Sequence, residues 1–87
     1  MNFEEKVIVV TGGANGIGKA LCEQFAAAGA KVVVVDLEEQ LAATVAASIG
    51  GLGLKADVGC EADIQAVIVQ AEATFGPIDI FVSNAGV

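Results

Sequence analysis

No tyrosine, tryptophan or arginine occurs anywhere in the 87 residues, and proline occurs once, at Pro77. The cationic side chains are Lys6, Lys19, Lys31 and Lys55, set against eleven carboxylates for a net charge of −7. That balance would repel a phosphate backbone, so nucleic acid is excluded as a partner. Cysteine appears twice, and Cys22 and Cys60 share no metal or redox spacing, so no metal is expected. Cys22 reads as a small helix residue and Cys60 as a loop or helix-cap neighbour. No apolar run approaches the roughly 20 residues of a bilayer-spanning helix. The opening M-N-F-E-E-K carries acidic residues where a secretory signal carries basic ones. A soluble cytoplasmic protein with no membrane partner is the expectation. Repeats, linkers and low-complexity stretches are also missing.

What is present is apolar. The chain is 55% hydrophobic with a mean hydropathy of +0.73, oily for a chain that can form at most one small domain. Apolar runs alternate with helical patterns, the signature of successive β-α-β units and a parallel sheet. The pattern predicts β1 at 6–11, α1 from about 16 to 28 closed by Gly29, and β2 at 31–36. It continues with α2 at about 38–49, β3 at 52–56, α3 at 61–75 and β4 at 78–83. In α2, Leu41, Val45, Ser48 and Ile49 are expected on one face. In α3, Ile64, Val67, Ile68, Ala71 and Phe75 form one stripe, and Gly76 with Pro77 ends the helix. β1 and β2 are continuous apolar runs, as strands covered on both faces should be. β3 alternates Leu52, Leu54 and Ala56 with Gly53 and Lys55, which suits a sheet edge.

The expected fold class is α/β, a Rossmann-type doubly wound parallel sheet with strand order 3-2-1-4. β4 has the composition of a central strand, in Ile80, Phe81 and Val82, yet that order leaves it at the far edge. A bare apolar edge invites pairing, so something is expected to lie beyond β4: more chain, or another copy in a homo-oligomer.

The stretch V-I-V-V-T-G-G-A-N-G-I-G, residues 7–18, runs a strand straight into four glycines where a helix should begin. Glycine is costly in regular structure, so the position must need something a side chain would prevent. An anion at a helix N-terminus fits, because unpaired N–H groups point at it and the helix dipole favours negative charge. Gly12 would allow the tight turn, Gly16 the approach of a pyrophosphate, and Gly18 close packing of the helix. The alternative is a purely structural strand-to-helix turn, but the context of strand, glycines and helix in a β-α-β unit favours a dinucleotide.

Asp36 ends β2 at the distance where an acidic residue can bind the adenosine ribose hydroxyls. It can also cap α2, and the two roles are compatible. Its charge would repel a 2′-phosphate, and Asn15 supplies no cation for one, so NAD is expected rather than NADP.

T-G-G-A-N-G-I-G resembles the Thr-Gly-x-x-x-Gly-x-Gly signature of the short-chain dehydrogenase/reductase family, and not the Thr-Gly-x-x-Gly-x-x-Gly of its extended members. The similarity continues in V-V-V-V-D, in A-D-V at 56–58 and in F-G-P-I-D-I-F-V-S-N-A-G at 75–86, in the right order over the whole chain. The resemblance implies a cofactor loop of Thr11, Gly12, Asn15, Gly16, Ile17 and Gly18, with Leu37 grouped beside Asp36 at the cofactor. Asp57 and Val58 would border the adenine, and Asn84, Ala85 and Gly86 would stabilise the sheet near the ribose. Ser83 stands where many members have Asn. The bland alternatives are a loop carboxylate for Asp57 and a simple turn for Asn-Ala-Gly.

Members of that family reduce carbonyls or oxidise alcohols by hydride transfer, with a Tyr as acid/base, a Lys four residues later, a Ser and an Asn. This chain has no tyrosine, and its only serines are Ser48 and Ser83. Residues 1–87 are therefore expected to be the N-terminal part of a single NAD-binding Rossmann domain, with no catalytic residue and no substrate-binding segment of their own. The rival readings are a stand-alone, non-catalytic dinucleotide-binding module and an NADP-dependent reductase.

Overall fold

The computed structural model describes residues 3–84. Its elements are β1 (Val7–Thr11), α1 (Gly16–Ala27), β2 (Lys31–Asp36), α2 (Glu39–Ile49), β3 (Leu52–Lys55), α3 (Glu61–Phe75) and β4 (Ile80–Ser83). The four strands form one parallel sheet in the order β3-β2-β1-β4. In register, Val9 lies between Val33 of β2 and Phe81 of β4, and Val33 also pairs with Leu52 of β3. The doubly wound arrangement anticipated from the alternation of runs is the one found.

Strand side chains alternate between faces, and each face has its own core. Ile8, Val10, Val32 and Val34 pack with Cys22 of α1 and with Ala42, Val45 and Ala46 of α2. Val9, Val33 and Val35 pack with Val67 and Ala71 of α3 on the other side. This explains the unbroken apolar runs of residues 7–10 and 32–35: both faces are covered there, and polar residues stand only at the strand ends.

Two expectations need correction. The buried face of α2 is Ala42, Val45 and Ala46, not Leu41 and Ser48; Leu41 is 40% exposed and Ser48 is exposed too. The reason lies in β3, where a Cβ on Gly53 would sit 2.7 Å from the Ala42 carbonyl oxygen. The helix lies directly on the strand, so small residues face the sheet and the bulky leucine turns outward. Gly53 is thus a site of close approach, not simply the outward half of an edge-strand alternation.

β4 begins at Ile80, two residues later than the sequence suggests. Asp79 takes over the lead-in: its N–H donates to the Val7 carbonyl and its Oδ2 accepts the Val7 N–H, both at 2.9 Å. A carboxylate stands where a strand carbonyl would otherwise pair. β4 is the edge of the described sheet, as the strand order requires, and Phe81 is 40% exposed there. The bounds of β1, α1, α2 and β3 differ by a residue at one end, and β2 and α3 match.

Candidate functional site

All four strands point the same way, and the chain leaves β1 toward β2 but returns from α3 to the opposite side of β1. Ligands of open α/β sheets bind at such a reversal, outside the carboxyl ends of the strands. A cleft of about 420 Å³ opens there, lined by Gly12, Asn15, Val35, Asp36, Leu37, Ala56, Val58 and Asn84.

The glycine loop forms its inner wall. Gly12 turns the chain out of β1 at φ +67°, a conformation side chains resist. Gly13 donates its N–H to the Val35 carbonyl at 3.1 Å. It is buried, with space for a Cβ only 3.0 Å from Val34 Cγ1 and 3.1 Å from Cys22 Sγ. The spacing of the motif gives no hint of that packing role. A Cβ on Gly18 would overlap the Gly12 carbonyl and lie 2.8 Å from Asn84 Nδ2, so this glycine lets α1 press against both loops. A Cβ on Gly16 would meet nothing within 4 Å.

α1 starts beside this loop with its N-terminus open. Asn15 occupies the N-cap position in an extended conformation without a side-chain capping bond, and no acidic residue stands in the first turn. The first N–H groups of a helix lack intrahelical partners, so an uncapped start without a competing carboxylate suits an anion.

Asp36 lines the cleft beside this loop. Its Oδ2 accepts the Ala14 N–H at 3.2 Å and its Oδ1 accepts the Glu38 N–H at 3.1 Å. The second bond is an Asx turn to the residue two positions on; Glu38 itself holds the N-cap position of α2, without a side-chain bond, so Asp36 does not cap that helix as the sequence suggested. The first ties the end of β2 directly to the neighbouring glycine loop. A carboxylate offers about four lone-pair sites, so both bonds leave acceptor capacity for two hydroxyls. Among the lining residues Asp36 is the one charge, and no cation accompanies it.

The floor is fixed by Thr11 and Asn84. The buried Thr11 donates its Oγ1 hydroxyl to the Val82 carbonyl at 3.3 Å and accepts the Asn84 N–H at 3.0 Å. Asn84 Nδ2 donates to the Gly12 carbonyl at 3.4 Å. Through these bonds the end of β4 holds the turn after β1.

The cleft therefore gathers Gly12, Asn15, Asp36, Leu37, Val58 and Asn84 from the residues singled out in the sequence. Thr11, Gly16, Ile17, Gly18 and Asp57 do not line it. Ile17 is 74% exposed at the start of α1. Asp57 is turned to local bonds: its Oδ1 accepts the Gly59 N–H at 2.8 Å, and its own N–H donates to Asp63 Oδ2 at 2.9 Å. Ala85 and Gly86 lie outside the described residues. Sequence reasoning missed Val35 and Ala56, although their places at the carboxyl ends of β2 and β3 could have signalled them. It also missed Ala14, whose backbone alone takes part. Among the described residues no group of three potential metal ligands comes together, and no helix is long and apolar enough to cross a membrane.

The glycine loop, the uncapped helix and a carboxylate at the end of β2 are the parts of a dinucleotide site. A family model for short chain dehydrogenases matches residues 6–87. The chain belongs to the short-chain dehydrogenase family. Among curated members, it is 43% identical over 89 aligned residues to the 3-oxoacyl-(acyl-carrier-protein) reductase FabG of Escherichia coli (strain K12), covering 100% of this chain and 36% of that protein. It is equally 43% identical over 89 aligned residues to the galactitol 2-dehydrogenase of Agrobacterium fabrum, covering 100% of this chain and 35% of that one. A crystal structure of the 3-ketoacyl-(acyl-carrier-protein) reductase from Brucella melitensis complexed with NADH superposes with a TM-score of 0.88 at 40% identity. That match covers 91% of this chain and 33% of the reductase. This short-chain dehydrogenase sequence thus spans about a third of the length of the relatives it matches.

Proposed function

We propose that this chain is the dinucleotide-binding part of an oxidoreductase that moves a hydride between NAD and a small alcohol or carbonyl substrate. The observation that carries the reading is Asp36, a carboxylate in the cleft wall beside a glycine loop and an uncapped helix start. The diphosphate of a dinucleotide matches the N–H groups at Gly16 and the first turn of α1, where the lack of a Cβ leaves room. Asp36 accepts the adenosine ribose hydroxyls, while Leu37, Val58 and Ala56 offer apolar surface for the base. When bound, the nicotinamide supplies the hydride chemistry, and the protein supplies binding and orientation. The Brucella relative, crystallised with NADH, supports a nicotinamide cofactor. With no tyrosine and only Ser48 and Ser83, these residues hold the cofactor and leave proton transfer and substrate binding to groups beyond them. The two free cysteines suit a reducing, cytoplasmic compartment.

NAD is favoured over NADP on electrostatic grounds. Two unit charges about 4 Å apart at an effective dielectric near 20 repel by roughly 4 kcal/mol before screening. Salt and side-chain movement reduce this, so the expected preference for NAD is roughly one to two powers of ten in Kd. Titration calorimetry with both nucleotides tests it, on the wild type and on Asp36→Ala. The substitution should remove most of the discrimination without creating a good NADP site. Equal wild-type affinities, or a preference that survives the substitution, would leave Asp36 only its bonds to the Ala14 and Glu38 N–H groups.

A second reading, a non-catalytic dinucleotide-binding module, shares the same site and is favoured by the missing tyrosine. The intact mass of the natural gene product separates the two. A product of the relatives' length supports the enzyme, and one of 87 residues supports the module.

A further inference from the structure

We infer that Asp36 is a positioning residue as well as a ribose acceptor: its two backbone tethers stop it from swinging aside, and so enforce rejection of a 2′-phosphate. The inference rests on the dinucleotide reading above and adds the device by which discrimination is held. A free aspartate at a strand end could relieve repulsion by rotating away from the phosphate. Asp36 is not free. One oxygen holds Ala14 of the glycine loop and the other holds Glu38 just before α2.

The two tethers differ in what rotation would cost. Ala14 is buried, so losing its acceptor would cost a largely buried backbone N–H its bond. Glu38 is exposed, and its N–H could turn to water. Rotation also removes one of the two bonds that tie the glycine loop to the end of β2, leaving the Gly13–Val35 bond, so the ligand that forces it loosens its own diphosphate site. The lone-pair arithmetic closes for NAD: two sites hold the tethers and two remain for the ribose hydroxyls. A 2′-phosphate replaces one hydroxyl donor with an anion, and the carboxylate must either keep the repulsion or lose the tethers.

The tether at Glu38 can be deleted without touching Asp36. Glu38 sits at φ −92°, more extended than the roughly −65° of a proline ring, so proline requires a small backbone adjustment there, and proline has no N–H to donate. Glu38→Ala keeps the N–H and sets the baseline for loss of the side-chain charge. Calorimetry gives the ratio of NADP to NAD dissociation constants for wild type and both variants. Relative to Glu38→Ala, the ratio in Glu38→Pro should fall about threefold, from one charge-assisted hydrogen bond partly replaced by water. A turn bond with no part in discrimination would lower the melting temperature and leave the ratio unchanged, which would overturn the inference. If Glu38→Pro does not fold, amide exchange of the wild type decides the question at saturating nucleotide. Protection of the Ala14 amide kept with NAD and lost with NADP supports the tether, and equal protection in the two complexes overturns it. A wild-type chain that binds neither nucleotide overturns the dinucleotide reading itself and this inference with it.

Discussion

Gly18 faces the tightest steric demand in the loop, because any Cβ there would collide with the Gly12 carbonyl and crowd Asn84. Gly18→Ala should therefore destabilise the chain by about 1–3 kcal/mol, the usual cost of overpacking, measured by urea denaturation. A substitution within experimental error of wild type would show that α1 can shift away from the loop at no cost. Cys22 allows a second test at this scale. Burial, with a smaller contribution from the charge of Glu23, pushes its thiol from the ordinary 9.0 up to about 11. Between those values the unfolded chain loses the proton and the folded chain keeps it, so stability falls as pH rises from about 9 to 11. The loss is on the order of 2 kcal/mol and is absent in Cys22→Ala. Thermal melts of both chains across that range give the comparison, and parallel curves would contradict it. At the residue scale the sequence was legible where spacing encodes a backbone need, as at Gly12 and Gly18. It was silent where a role depends on what packs overhead, as at Gly13, or on a backbone group alone, as at Ala14.

Among the elements, α3 matched its anticipated span and stripe because one apolar seam faces one sheet face. Val67 is 2% exposed and Val69 is 65% exposed on the same helix. Val67→Ala should cost about 1–3 kcal/mol through lost burial and a residual cavity. Val69→Ala should stay within about 0.5 kcal/mol. Chemical denaturation of the pair checks this, and equal losses would mean that α3 is not seated as described. α2 was misread by about a quarter turn. Leucine outweighs alanine in any hydrophobic pattern, yet Ala42 and Ala46 are the residues small enough to let the helix reach Gly53. Close packing selects small side chains, and a pattern scored on hydrophobicity alone favours large ones. β4 was read two residues too long because Ile78 is apolar, whereas the carboxylate of Asp79 takes the place of a strand carbonyl at Val7.

For the whole molecule, the sheet order fixes both the open edge and the cleft. β4 pairs with β1 on one side only, among the described residues, and exposes Phe81. Such an edge promotes association, and a lysine placed on it is the usual remedy. The chain should therefore self-associate at micromolar concentrations, and Phe81→Lys should shift it toward monomer in sedimentation velocity. A wild-type chain that is monomeric throughout would contradict this. The same order brings Gly12, Asp36, Val58 and Asn84, from four separate strand ends, around one opening. That convergence was legible in the sequence because parallel crossovers force it, while the bonds that brace the opening were not. A titration of the isotopically labelled chain with NAD, followed by amide shifts, tests the central claim most directly. Saturable shifts should concentrate at Gly12, Asn15, Gly16, Asp36, Leu37, Val58 and Asn84, with the outer face of α3 unmoved. No saturable shift at millimolar NAD, or shifts centred away from the strand ends, would contradict it.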